Sequence, residues 1–121
     1  MAYDPENIFA KILRGEIPCA KVHEDEHTLA FKDIHPQAAL HVLVIPKGAY
    51  QSWDDFSTKA SDVEIGALIR AVGKVARDLG VAEEGYRVLS NIGENGGQEV
   101  PHLHIHLFGG QKLGRMIKPL S

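Results

Sequence analysis

Apolar residues recur at helical spacing in one long stretch: Ile65, Leu68, Ile69, Val72, Val75, Ala76 and Leu79. Such spacing gathers them on one helical face. Ser61-Asp62-Val63-Glu64 ahead of it has the form of a capping box, and Gly80 ends it. A shorter run, Ile8, Phe9, Ile12 and Leu13, predicts a second helix, with Asp4 read as its N-cap, Pro5 as its first residue and Gly15 as its stop. Elsewhere the period drops to two. Residues 20–24 and 28–33 predict strands around the polar turn Asp25-Glu26, and 40–45 an apolar, β-branched strand closed by Pro46. Residues 86–92 and 102–108 predict two more strands, separated by the glycine-rich loop 93–98. Residues 48–56 show no clear period. The expectation is a single α+β domain spanning residues 1–121, with an antiparallel meander and helices on one face of the sheet.

Composition keeps this picture within ordinary globular limits, at 44% hydrophobic and 24% charged residues. With 13 basic against 16 acidic residues and no Lys/Arg-rich run, a long nucleic acid is a poor partner. A small anion needs only a few local donors and stays open. The single cysteine, Cys19, allows no internal disulfide, fits a reducing compartment and is read as inert. The N-terminal segment lacks the basic and apolar regions of a signal peptide. The longest apolar run, residues 40–46, is interrupted by His41 and is too short to span a bilayer. A cytoplasmic location without membrane contact is therefore expected.

The chemistry concentrates in His102-Leu103-His104-Ile105-His106-Leu107-Phe108. In a strand, alternate side chains share a face, so three imidazoles point one way and three aliphatic side chains the other. Same-face neighbours stand about 6.6–6.8 Å apart along the strand, so one ring can touch a reacting centre while the others reach the groups around it. Three readings are open on these residues alone. They are an incidental polar face, a zinc or copper site, and catalysis or anion binding by imidazoles that titrate near neutrality. Gly93, Gly96 and Gly97 in the preceding loop suit backbone amides turned toward an anion.

The stretch Gly96-Gly97-Gln98-Glu99-Val100-Pro101-His102 through Gly110 resembles the histidine triad (HIT) superfamily, and in particular its Hint branch of purine nucleoside phosphoramidate hydrolases. Residues 8–18, 31–38, 41–47 and 85–88, together with Asn91, resemble further Hint segments in the same order. The resemblance implies a HIT-like fold of about five strands with one long and one short helix. It also implies a homodimer with residues 61–79 at the interface, the sheets joined across it, and the tail 110–121 approaching the partner's site.

The same resemblance implies a mechanism. His104 attacks the α-phosphorus and forms a nucleotidyl-histidine that water hydrolyses to AMP or GMP. That role requires a bare attacking nitrogen on His104, with the other nitrogen donating a hydrogen bond. His106 would bond a non-bridging oxygen, and His102 and His41 would support the triad. Asn91, Gly97, Gln98 and Val100 would surround the phosphate, and Asp33 would accept from the ribose hydroxyls. Phe9, Ile12, Phe31 and Ile34 would hold the purine. Glu99, where some Hint proteins carry serine, would give a proton to the leaving amine only if burial raised its pKa, and would otherwise face solvent or bind a basic leaving group. No metal or cofactor is required. A dinucleoside polyphosphate hydrolase, a nucleotide-binding interaction module and a histidine-cluster metal protein are the alternatives.

Overall fold

The computed structural model describes residues 2–117 and contains, in chain order, α1 (Ile8–Leu13), β1 (Lys21–Glu24), β2 (Thr28–Lys32), β3 (Leu40–Pro46), α2 (Trp53–Lys59), α3 (Asp62–Asp78), β4 (Arg87–Leu89) and β5 (Ile105–Gly109). The strands form one antiparallel sheet in the order β1-β2-β3-β5-β4. The first three strands are a meander. The last two depart from the expected meander, because β5 enters between β3 and β4. Burial explains the exchange. Ile105 and Leu107 of β5 are buried, whereas Val88 of β4 is exposed, so β5 suits the interior and β4 the edge.

β3 is the central strand, and every residue of it after Leu40 is buried. Its Val42 and Val44 pack with Leu68, Ala71, Val72, Val75 and Ala76 of α3. Its Leu43 and Ile45 face the other way and pack with Phe9 of α1 and with Leu29 and Phe31 of β2. The helices therefore lie on opposite faces of the sheet, not on one as expected. A strand apolar on both sides must be covered on both, since each fully buried aliphatic side chain contributes about 1.5–3 kcal/mol.

Local chemistry sets the helix ends. In α3 the Ser61 hydroxyl accepts from the Glu64 N–H, and the Glu64 carboxylate accepts from the Ser61 N–H. The cap of α1 is Asn7, not the expected Asp4. The Asn7 side-chain oxygen accepts from the Ala10 N–H at 2.9 Å, while Pro5 and Glu6 form a turn in front, closed by the Asn7 N–H on the Asp4 carbonyl. The segment expected to be irregular contains α2, capped reciprocally by Ser52 and Asp55. Phe56 is its one buried residue, so no apolar period announces it. Among the described residues no helix is long and apolar enough to cross a membrane. Residues 118–121 of the tail lie outside the described residues.

Candidate active site

The histidine segment enters the sheet later than its alternation suggests. The ladder of β5 starts at Ile105, because the backbone of residues 102–104 is engaged elsewhere. The Leu103 N–H donates to the Tyr50 carbonyl at 2.9 Å, and the Ser90 hydroxyl donates to the His104 carbonyl at 2.8 Å. Alternation survives outside the ladder. Leu103, Ile105 and Leu107 join the α3-side core. The His104 ring lies 5.1 Å from that of His106 and edge-on to Phe9 at 4.9 Å, on the opposite face.

Hydrogen-bond partners assign the tautomers, because a carbonyl only accepts and a backbone N–H only donates. His104 Nδ1 is 2.7 Å from the His102 carbonyl, so it carries the proton and leaves Nε2 with a free lone pair. His102 Nε2 donates to the Pro46 carbonyl at 2.8 Å, so its Nδ1 accepts, from the Tyr3 hydroxyl at 2.6 Å. The Gln37 N–H donates to His41 Nδ1 at 3.2 Å, which puts the His41 proton on Nε2. That proton faces His106 Nδ1 at 2.9 Å, and His106 in turn carries its own proton on Nε2. Of these four rings, His104 alone has a bare Nε2.

Burial keeps the group neutral. Removal from water holds His102 at about 4, against 6.5 for an ordinary imidazole, with the Pro46 hydrogen bond opposing. Burial, followed by the proximity of His104 and His41, holds His106 at about 4. Burial also lowers His104 and His41, opposed at His104 mainly by its bond to the His102 carbonyl and at His41 by Asp33. A neutral imidazole is the nucleophilic form.

His104 and His106 form part of the wall of a cavity of about 400 Å³, a size suited to a small-molecule ligand. Phe9, Ile12, Phe31, Ile34 and Val100 supply apolar wall, and Asp33, Asn91, Gly97 and Glu99 supply polar wall. His41 and His102 stand behind the cavity and do not line it. Sequence reasoning missed further wall residues, among them Ile8, Ile17, Leu43, His35 and Cys19. Their side chains carry no chemical pattern, and only the fold turns them inward. Tyr3 was missed because a lone tyrosine before a short helix gives no signal.

Gln98 is the one expected contact residue outside the cavity wall. Its Oε1 accepts from the Gly93 N–H, and its Nε2 donates to the carbonyls of Gln51 and Val100. It staples the loop that carries Gly97 and Glu99. Gly96 is needed for the tightness of that loop, since a Cβ there would stand 2.3 Å from the Ile92 carbonyl oxygen. Gly97 adopts φ +75°, a conformation that side chains disfavour.

Among the described residues, Asp33, His41 and His106 present ligand atoms within 4.8 Å of one another. Asp33 Oδ2 stands 3.5 Å from His41 Nε2. A cation would have to displace the proton between His41 and His106, while the Gln37 N–H blocks the other His41 nitrogen. The donor set therefore suits a hydrogen-bond relay better than a metal.

An open sheet carrying an HxHxH strand end, with the middle ring bare at Nε2, defines a class as well as a site. A family model described as HIT domain matches residues 14–113, and the chain belongs to the HIT domain family. Within it, the chain is 67% identical over 115 residues to an uncharacterized 13.2 kDa HIT-like protein of Azospirillum brasilense, covering 95% of this chain and 94% of that one. It is 44% identical over 112 residues to the purine nucleoside phosphoramidase of Escherichia coli strain K12, covering 93% of each. A solved histidine triad protein from Clostridium difficile superposes with a TM-score of 0.83 at 41% identity, over 94% of this chain and 98% of the other.

Proposed function

We propose that the chain is a purine nucleoside phosphoramidate hydrolase working through a covalent intermediate on His104. In the first step the His104 Nε2 lone pair forms a bond to the 5′-phosphorus as the P–N bond breaks, and the departing amine takes up a proton. In the second, water forms the new P–O bond and loses a proton, while the P–Nε2 electron pair returns to the imidazole. The product is a nucleoside monophosphate.

His106 donates its Nε2 proton to a non-bridging oxygen and offsets the charge that grows there in the transition state. His41 holds that proton on Nε2 by donating to the other nitrogen, and His102 holds the tautomer of His104 through its carbonyl. Asn91 and Gly97 position the phosphate, with Val100 beside them, and Asp33 accepts from the ribose hydroxyls. Phe9, Ile12, Phe31 and Ile34 take the purine. Glu99 lies in the cavity wall but is exposed, without the burial that a proton source there would need, and it meets the leaving amine as a counter-charge. Gln98 serves through its loop. The observation that carries this reading is the bare Nε2 of a neutral imidazole in a cavity wall. The 44% identity to a purine nucleoside phosphoramidase supports the substrate class.

The test is to quench a reaction with adenosine 5′-phosphoramidate and map the adenylyl adduct by mass spectrometry. The adduct is expected on His104. His104→Ala should abolish it and lower turnover by at least about four orders of magnitude. Unchanged turnover in that variant would end the proposal. Faster turnover of diadenosine polyphosphates than of the phosphoramidate would transfer the reading to dinucleoside polyphosphate hydrolysis.

We also infer a homodimer through α3 and the edge strand β4. Exposed Ile69, Val88, Trp53 and Tyr86 border one apolar hollow there, which supports a covered face. Sedimentation should give twice the chain mass, and a monomer at micromolar concentration would refute it.

A further inference from the structure

The hydrogen-bond chain behind the cavity continues beyond the four histidines, to a residue that does not line the cavity. Tyr3 precedes α1 and sets its ring edge-on to His102, with 5.6 Å between centroids. Its hydroxyl donates to His102 Nδ1 at 2.6 Å, since the other nitrogen of that ring is committed to Pro46. The arm that carries Tyr3 is itself held. The Asn7 amide donates to the Asp4 carbonyl, and the Arg14 guanidinium donates to the Pro5 carbonyl, each at 2.7 Å.

This contact matters because of where the triad leaves the sheet. The acceptor that fixes the His104 tautomer is the backbone carbonyl of His102, in a segment without ladder bonds. The His102 side chain, 0% exposed, anchors that segment to β3 at one ring nitrogen and to the N-terminal arm at the other. Without the phenol, a buried nitrogen lone pair loses its donor. The ring then relieves the deficit by rotating away from Pro46 or by admitting water, and either movement shifts the carbonyl.

We propose that Tyr3 is a positioning residue for the reaction: by clamping His102 against Pro46, it keeps the His102 carbonyl in line with His104 Nδ1 and so keeps His104 Nε2 bare and aimed at the substrate. This inference rests on His104 being the nucleophile. It assigns Tyr3 no contact with the substrate, so its effect belongs in kcat and not in KM.

The test is Tyr3→Phe in the full chain, which keeps the ring and removes only the hydroxyl. With adenosine 5′-phosphoramidate, kcat should fall about tenfold while KM stays within about twofold. The NMR resonance of His102 Nδ1 should move from its position in the parent protein, as the phenol donor is lost. Unchanged kcat, or a loss confined to KM, would overturn the inference. Should the variant fail to fold, the parent protein decides the matter: a His102 spectrum with the proton on Nδ1 refutes the clamp, and one with Nδ1 as a hydrogen-bonded acceptor upholds it. His104→Ala separates the two proposals. Turnover that survives His104→Ala refutes the nucleophile, whereas turnover lost there but intact in Tyr3→Phe refutes the clamp alone.

Discussion

The face of the sheet under α3 and the face under α1 are built from alternate residues of the same strands, yet they are covered differently. Helix α3 closes its face over β3 and leaves a hollow only beside the edge strand β4, whereas α1 leaves a cavity against the histidines themselves. The seventeen-residue α3 lays a continuous apolar stripe over Val42, Val44, Ile105 and Leu107. On the other side α1 has six residues, too few to span the sheet. Phe9 covers Phe31 and Leu43 and leaves a cavity beside them. The histidines sit at the boundary between that partial core and the opening. The apolar neighbours strip water from the imidazoles and hold them neutral, while the missing cover leaves room for a ligand. The comparison teaches that the chemistry of the open face depends on incomplete burial, and the stability of the closed face on complete burial.

Four outcomes would break or sharpen that contrast. On the open face, His106→Ala removes a donor to the transition state. It should cut kcat by about 10²–10³ with a small change in melting temperature, as steady-state kinetics and thermal melts would show. On the closed face, Leu68→Ala should cost about 2–5 kcal/mol in denaturant unfolding and leave kcat per folded molecule unchanged. Equal effects of the two substitutions on stability would erase the distinction.

The third outcome is a pH effect on stability. His102 and His106 titrate at about 4 when folded and near 6.5 as free imidazoles. Between these values the unfolded chain binds more protons than the native one, so the unfolding free energy rises with pH. Stability present above 6.5 should therefore be lost as the pH falls toward 4, with His102 alone contributing about 3 kcal/mol. Denaturant melts across that window check it, and a flat profile would contradict neutral burial. The smallest effect is expected from Gln98→Ala. Loss of its loop staple should raise KM by about tenfold or less while kcat holds, since the side chain lies outside the cavity wall.

Helix α3 and strand β3 were legible in the chain because each carries its own pattern: a capping box with a regular apolar face in one, a β-branched run in the other. The triad was legible for the same reason, as alternation alone separates His102, His104 and His106 from Leu103, Ile105 and Leu107. Helix α2 was hidden because one buried phenylalanine makes no period. The late start of β5 was hidden because the Leu103 N–H bonds to Tyr50, a partner 53 positions away in the chain. The order of the last two strands depends on which of them the rest of the fold can bury.

Local pattern, then, specified a two-faced sheet and a trio of imidazoles on one side of their neighbours, because side-chain direction follows from backbone geometry within a few residues. Which nitrogen of His102 and of His106 bears its proton was decided by the tertiary structure. The groups that settle it, the Pro46 carbonyl for His102 and the His41 ring for His106, belong to segments that meet the rings only when the chain is folded. A proton goes where its acceptor is, and the position of an acceptor is a property of the whole fold.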